Sequence, residues 1–217
     1  MTKKVVIAHF DKDINWVSEI NKDIEFEVYS TSHTNINGIT NNKIFFISPN
    51  KGMDSNMYLK FILNNYDNLP DKILFVHHHF MDWSQDFSLP FIINNLIWEY
   101  SDYINVGKRN CYGNIYEMYD KKYLHVKDWF KFVWPIFDGY LEFPEKNLFY
   151  YAGTQFMVNK ELILQYPKSF YQNLHNWVIQ TDMEDYKVGR IFEYLWHYIF
   201  TKNTIDKKFN NNEIFKL

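Results

Sequence analysis

Two residue types are nearly missing from this chain of 217 residues: it has one cysteine, Cys111, and two arginines, Arg109 and Arg190. A lone cysteine cannot close an internal disulfide, and no Asn-x-Ser/Thr acceptor occurs despite abundant asparagine. The expected setting is therefore a reducing, non-secretory compartment, the cytoplasm. No window approaches eighteen uninterrupted apolar residues, which excludes a spanning helix. The run Val5-Val-Ile-Ala8 is too short for the core of a signal peptide. Excess positive charge is lacking as well. A net charge of -3 and a pI near 6.2, with scattered lysines, exclude a general affinity for nucleic acid. Glycine numbers only 7, and neither standard Gly-rich phosphate loop occurs. Also missing are a Gly-x-Ser-x-Gly elbow, a His-Glu-x-x-His helix and paired cysteine ligands. These absences leave P-loop enzymes, dinucleotide oxidoreductases, elbow-type hydrolases and zincin-type proteases without support.

What is present is apolar and aromatic. Hydrophobic residues make up 47% and aromatic residues 20%, which excludes general disorder and supplies a core for one domain. Lysine is the default cation here, so the two arginines stand out: only a guanidinium offers a planar fork for phosphate or carboxylate.

The elements read as alternating strands and helices. Lys3 to His9 is a short buried strand ending in polar His9 and Asp11, and Asp13 can cap a helix through Trp16 and Ile20. Glu25 to Tyr29 and Lys43 to Ile47 are strand candidates around a polar loop, Thr31 to Asn42. Asp54 or Ser55 can cap a helix whose apolar residues Met57, Tyr58, Phe61 and Ile62 follow the helical period. Lys72 to Val76 is another strand, and Pro90 to Tyr100 a helix with proline in its first turn. From Asn105 to Pro144 the pattern loosens into irregular loops and short helices suited to a lid. Leu148 to Val158 reads as a strand with Gly153 at its middle. Helices follow from Asn159 to Tyr166, from Lys168 to Trp177 and from Tyr186 to Phe200. Continuous apolar strands between helices predict an α/β fold with a mostly parallel central sheet flanked by helices. Residues 1–200 form the domain and residues 201–217 a polar tail, in which Ile214, Phe215 and Leu217 are candidates to dock.

Two polar clusters project from these apolar elements. The strand Ile73-Leu-Phe-Val76 empties into His77-His78-His79, with Asp82 and Trp83 next. In extended chain His77 and His79 point to one side and His78 to the other. His77 and His79 can then approach one ion or one phosphate, with Asp82 reaching in. Structural hydrogen bonding at the sheet's end is the plainer alternative. On the late helix, Arg190, Glu193 and His197 stack at i, i+3 and i+7. Glu193 can act as a general base and Arg190 as a diphosphate clamp, or the three can form a buried ladder that ties the helix down. His197 could also join His77, His79 and Asp82 around a metal. The acidic turn Asp182 to Asp185 offers Glu184 and Asp185 as ionised carboxylates at a helix N-terminus, or as plain caps. In the strand reading, Tyr151, Gly153 and Gln155 share one face, where a sugar or ring could lie close to the backbone; tight helix packing explains the glycine as well.

The blocks Asn50-Lys-Gly-Met53, Tyr58 to Asp71 and Ile73 to His79, with Tyr103-Ile-Asn-Val-Gly107, Tyr151 to Lys160, Pro167 to Tyr171 and Glu193 to Phe200, resemble an uncharacterised domain family of bacteria, fungi and large DNA viruses, DUF3431. The resemblance runs from about residue 5 to 200, with the blocks in order. That family is similar in turn to nucleotide-sugar glycosyltransferases of the single-domain, Rossmann-like GT-A fold. The likeness implies sugar transfer from a nucleoside-diphosphate sugar to a hydroxyl acceptor, and for a viral gene the compartment becomes the host cytoplasm. In GT-A enzymes an Asp-x-Asp at a strand end holds Mn²⁺ or Mg²⁺ and the donor diphosphate. Here the comparable position carries His77-His78-His79, and imidazole is a poor partner for a hard, oxygen-seeking cation. By the same likeness Ala152-Gly153-Thr154 resembles a small-residue motif, and Glu184 or Asp185 falls where an inverting base stands. For such a transfer the chain's own side chains offer Glu193, Glu184 or Asp185 as base and His77, His79, Arg109 and Arg190 at the leaving group. Tyr151 and Trp83 are the stacking rings, with Gly153 and Gln155 beside the donor. Two other readings remain: a metal-dependent hydrolase using His77, His79, Asp82 and His197, and a carbohydrate-binding module without turnover.

Overall fold

The continuous apolar run of the first strand dictates where it goes. Val5 to Ala8 are buried on both faces, so β1 (Lys3–His9) can only be a central strand. In the computed structural model, which describes residues 1–36, 39, 43–117, 126–151 and 153–217, it lies between two parallel neighbours, β2 (Glu25–Ser30) and β4 (Lys72–His77). Beyond β2 lies β3 (Ile44–Phe46), also parallel; beyond β4 come β8 (Phe156–Asn159), antiparallel to both neighbours, and β5 (Tyr103–Asn105). The sheet order is β3-β2-β1-β4-β8-β5. The chain thus leaves β1 on one side, then returns to its other side as β4. The strand order reverses at that boundary, and a crevice opens at the carboxyl ends of β1 and β4, where open α/β sheets place ligands.

Alternation along the strands builds two cores. Val6, Ala8, Ile73, Phe75, Phe156 and Val158 face one layer, against α1 (Asp54–Asn65), α4 (Lys160–Leu164), α5 (Lys168–Gln180) and α6 (Asp185–Thr201). Val5, Ile7, Leu74, Val76, Ile104 and Met157 face the other, against the 3-10 turn Asn15–Glu19 and α2 (Leu89–Asn95). The fold is α/β, with a six-stranded, mostly parallel sheet and helices on both faces. A small antiparallel pair, β6 (Tyr112–Asn114) and β7 (Phe149–Tyr151), sits apart from it. Among the described residues no helix is long and apolar enough to cross a membrane.

Three expectations change and a fourth is met in part. Leu148 to Val158 is two strands in different sheets, because Gly153 adopts φ +91° between β7 and β8. The helix expected over Pro90 to Tyr100 stops at Asn95, and Leu96 instead bridges to Phe215. The loosely patterned stretch from Asn105 contains a twelve-residue helix, α3 (Val126–Phe137), whose Phe130, Val133 and Phe137 are buried. In the segment past Thr201, Ile214 and Phe215 dock as expected and Phe209 is buried with them, but Leu217 is exposed. Its short helix α7 (Asn211–Ile214) starts with a reciprocal Asn210–Glu213 capping box. Of the polar loop Thr31 to Asn42, residues 37, 38 and 40–42 lie outside the described residues, as does Ala152 of the small-residue motif.

Candidate functional site

The carboxyl ends of β1 and β4 deliver His9 and His77 to the floor of a cavity of about 530 Å³. The chain beyond β4 adds His78, His79, Asp82, Trp83 and Ser84 to its wall. The N-terminal turn of α1 contributes Asp54 and Ser55, and α6 contributes Asp185, Tyr186, Arg190 and Glu193 from the opposite side. The histidine strand and the late helix therefore face one cavity, as their greasy flanks and ionisable tips suggested.

Three groups converge at the end of β4. One ligand atom each from His77, His79 and Asp82 lies within 4.8 Å of the others. His77 Nε2 is 3.4 Å from Asp82 Oδ2, and the buried His77 Nδ1 has no hydrogen-bond partner. Burial pushes the His77 imidazole below its ordinary pKa, although the Asp54 and Asp82 charges oppose the shift. The Asp82 carboxylate is aimed by its neighbour: Oδ1 accepts from the Ser84 N–H at 2.7 Å and from its hydroxyl at 2.6 Å. His78 lines the cavity as well, contrary to simple alternation: its ring lies 4.3 Å from that of His79 while reaching the Ala8 carbonyl and the His9 ring, and burial with three neighbouring imidazoles lowers its pKa to about 4. His9 is held by the Ser30 hydroxyl and the Lys12 carbonyl.

Across the cavity, Glu193 is buried on α6. Its Oε1 accepts from the Gly153 N–H at 3.2 Å, and Oε2 pairs with Arg190. Burial raises the Glu193 pKa above its ordinary value, and Arg190 only partly offsets that. Gly153 is the junction of the two halves. Its positive φ presents the N–H to Glu193, and a Cβ there would stand 3.1 Å from Ser84 Oγ, the group that orients Asp82. Beside it, the Thr154 hydroxyl donates to Asp54 Oδ2 at 2.6 Å.

The expected site residues separate into two sets. His77, His79, Asp82, Trp83, Gly153, Asp185, Arg190 and Glu193 line the cavity. Glu184 does not: it is exposed and pairs with Lys187 at 2.8 Å, which lowers its pKa. His197, one turn beyond Glu193, lies outside the cavity lining and is buried in the core, where desolvation takes its pKa to about 3. It is absent from the His77–His79–Asp82 group. Arg109 and Tyr151 form a cluster of their own. The guanidinium lies 4.1 Å over the Tyr151 ring and donates to the Gly107 and Asn105 carbonyls, while burial lifts the nearby Asp206 to about 7. Gln155 is fully buried, with both amide atoms unpartnered; the turn at Gly153 removes the shared face that would have set it beside Tyr151 and the glycine.

Sequence reasoning treated Asp54 only as a helix cap and passed over Ser84. Nothing local marks either one. The available signal was that the Asn50-Lys-Gly-Met block immediately precedes Asp54.

Fold and cavity together define a class: an α/β protein with a histidine- and carboxylate-lined pocket at the reversal of its strand order. More narrowly, the chain belongs to the DUF3431 family of proteins of unknown function, whose sequence pattern matches residues 5–213. No curated protein matches it.

Proposed function

We propose that the chain is a glycosyltransferase of GT-A-like, single-domain architecture that moves a sugar from a nucleoside-diphosphate donor to a hydroxyl acceptor. The observation that carries the reading is the placement of Glu193: a buried carboxylate, fixed by the Gly153 N–H and Arg190, facing a cavity at the crevice between β1 and β4. Burial makes Glu193 more basic than an exposed carboxylate, which suits it to accept the acceptor's hydroxyl proton. As that oxygen bonds the anomeric carbon, the bond from carbon to the diphosphate oxygen breaks and the diphosphate leaves with the electron pair. Asp185, also in the lining, is the second candidate base. Trp83, 63% exposed at the mouth, offers a ring face to a sugar or nucleobase. Arg190 is the cavity's one arginine, since Arg109 is engaged elsewhere. The hard Mn²⁺ or Mg²⁺ of an Asp-x-Asp site does not fit the strand end, where two imidazoles stand for carboxylates, so no step is assigned to such an ion.

A thermal-shift panel of UDP-, GDP- and CMP-sugars tests the reading, followed by mass spectrometry of the products. One donor should raise stability by mass action. Glu193→Gln should keep that binding and lose roughly 10²- to 10⁴-fold in turnover, the usual worth of a general base. Binding without turnover in the parent protein would make this a carbohydrate- or nucleotide-binding module. The grouping of His77, His79 and Asp82 favours one second reading, a metal-dependent hydrolase. Hydrolysis independent of any nucleotide sugar would select it.

A further inference from the structure

One ligand atom each from His77, His79 and Asp82 lies within 4.8 Å of the others, and the His77–Asp82 pair is longer than a strong hydrogen bond. A charge-assisted N–H···O bond between imidazole and carboxylate spans roughly 2.7–2.9 Å. The His77–Asp82 separation is 3.4 Å. Two ligand atoms bound at about 2.1 Å to one tetrahedral ion lie about 3.4 Å apart. The His77–Asp82 spacing matches that value, and the His79 ligand atom lies within 4.8 Å of both.

The carboxylate's surroundings are also those of a metal ligand. Metal-binding carboxylates are usually held by hydrogen bonds through their non-ligating oxygen. Asp82 Oδ1 is taken by the Ser84 N–H and hydroxyl, which leaves Oδ2 toward His77. The Asp82 N–H is itself fixed by the Gln85 side chain at 3.0 Å, and Gln85 is buried, so the loop is preorganised. Gly153 leaves room for Ser84. The group borders the cavity, which gives an ion open positions for water or a ligand oxygen.

We propose that His77, His79 and Asp82 bind one divalent transition metal of the borderline class, zinc, cobalt(II) or iron(II), in preference to magnesium. Imidazole nitrogen selects such ions over hard cations, and a two-histidine, one-carboxylate set leaves open coordination positions for a ligand. The site stands on the geometry of the β4 end alone, whether or not the cavity takes a nucleotide sugar.

The test uses the full chain without a histidine tag, stripped with a chelator, reloaded with Co²⁺ or Zn²⁺ and dialysed. Elemental analysis should find about one ion per chain, and the cobalt form should show visible d–d absorption that millimolar Mg²⁺ does not remove. His79→Ala and Asp82→Asn, each checked for folding by circular dichroism, should abolish retention, while Glu184→Gln, outside the cavity, should keep it. Ser84→Ala should weaken affinity roughly 10- to 100-fold, the usual effect of removing a ligand's supporting hydrogen bond. Failure of the parent chain to retain either ion would overturn the proposal. So would equal retention in folded His79→Ala and Asp82→Asn, or displacement by Mg²⁺.

Discussion

Gly153 carries more of the site than its size suggests. Its φ of +91° turns the chain between β7 and β8, its N–H holds Glu193, and its missing Cβ lets Ser84 reach Asp82. An alanine there would occupy a backbone region that costs L-residues about 1–3 kcal/mol, and would crowd Ser84 Oγ at 3.1 Å. Gly153→Ala is expected to lower the urea midpoint accordingly, with the m-value unchanged; an unshifted midpoint would show that the turn tolerates a side chain. Two imidazoles set a different residue-scale dependence. His78 and His197 are held at about 4 and about 3, below the ordinary 6.5, chiefly by burial. The unfolded chain therefore takes up protons that the folded chain refuses. The stability tied to these neutral rings is complete above pH 6.5, and it falls as pH drops through 4 and then 3. The melting temperature should decline over that window. In His197→Gln, whatever its absolute stability, the decline should be shallower; parallel curves would exclude His197 as a source.

At the scale of elements, the start of α1 depends on a junction the sequence shows only as Asn50-Lys-Gly-Met53. Gly52 sits at φ +73° where a Cβ would collide with Val178 Cγ1 of α5. Met53, at φ +53°, packs its side chain over Gly189 of α6, where an added Cβ would stand 2.7 Å from Met53 Sδ. Two glycines thus let α1, α5 and α6 close around the end that presents Asp54 to the cavity. Gly52→Ala should destabilise by at least about 2 kcal/mol, from strain plus overpacking, whereas an exposed φ-compatible glycine gains from alanine. Equilibrium denaturation decides between them. The strands and long helices were legible because they carry sustained apolar patterns: Val5 to Ala8, Ile73 to Val76, and the faces of α1, α5 and α6. The split at Gly153 and the early stop of α2 were not, because both are fixed by partners distant in sequence, Glu193 with Ser84 in one case and Phe215 in the other. Much of the cavity lining followed from the polar end of β4 and the spacing along α6, although alternation set His78 apart from a cavity it also lines. Arg109, Gln155 and His197 carry the same chemistry as the cavity residues, and only three-dimensional placement separates them.

For the molecule as a whole, the segment after Thr201 closes one side of the sheet rather than trailing from it. Phe209, Ile214 and Phe215 are buried in the layer of Leu74, Leu96, Trp98 and Met157. The Lys216 N–H donates to the Asn95 carbonyl at 2.8 Å, and the Ile97 N–H donates to the Ile214 carbonyl at 2.8 Å, so the segment ends the truncated α2 by supplying partners for its last turn. It also brings buried Asp206 to the Arg109–Tyr151 cluster, where the Tyr112 hydroxyl donates to the Asp206 carbonyl at 3.0 Å. Burying three large apolar side chains contributes about 1.5–3 kcal/mol each. Their sum rivals the total stability of an ordinary domain, about 5–15 kcal/mol. A chain ended at Thr201 would lose that contribution, expose Trp98 and Leu96, and leave the Arg109 charge without the Asp206 carboxylate. It is expected to aggregate or to lack a cooperative thermal transition. A chain lacking only the exposed Leu217 should melt within a degree or two of the parent, since surface changes away from such contacts stay within about 0.5 kcal/mol. Cooperative melting of the shorter chain near the parent temperature would mean that the segment rests on the domain without completing its core.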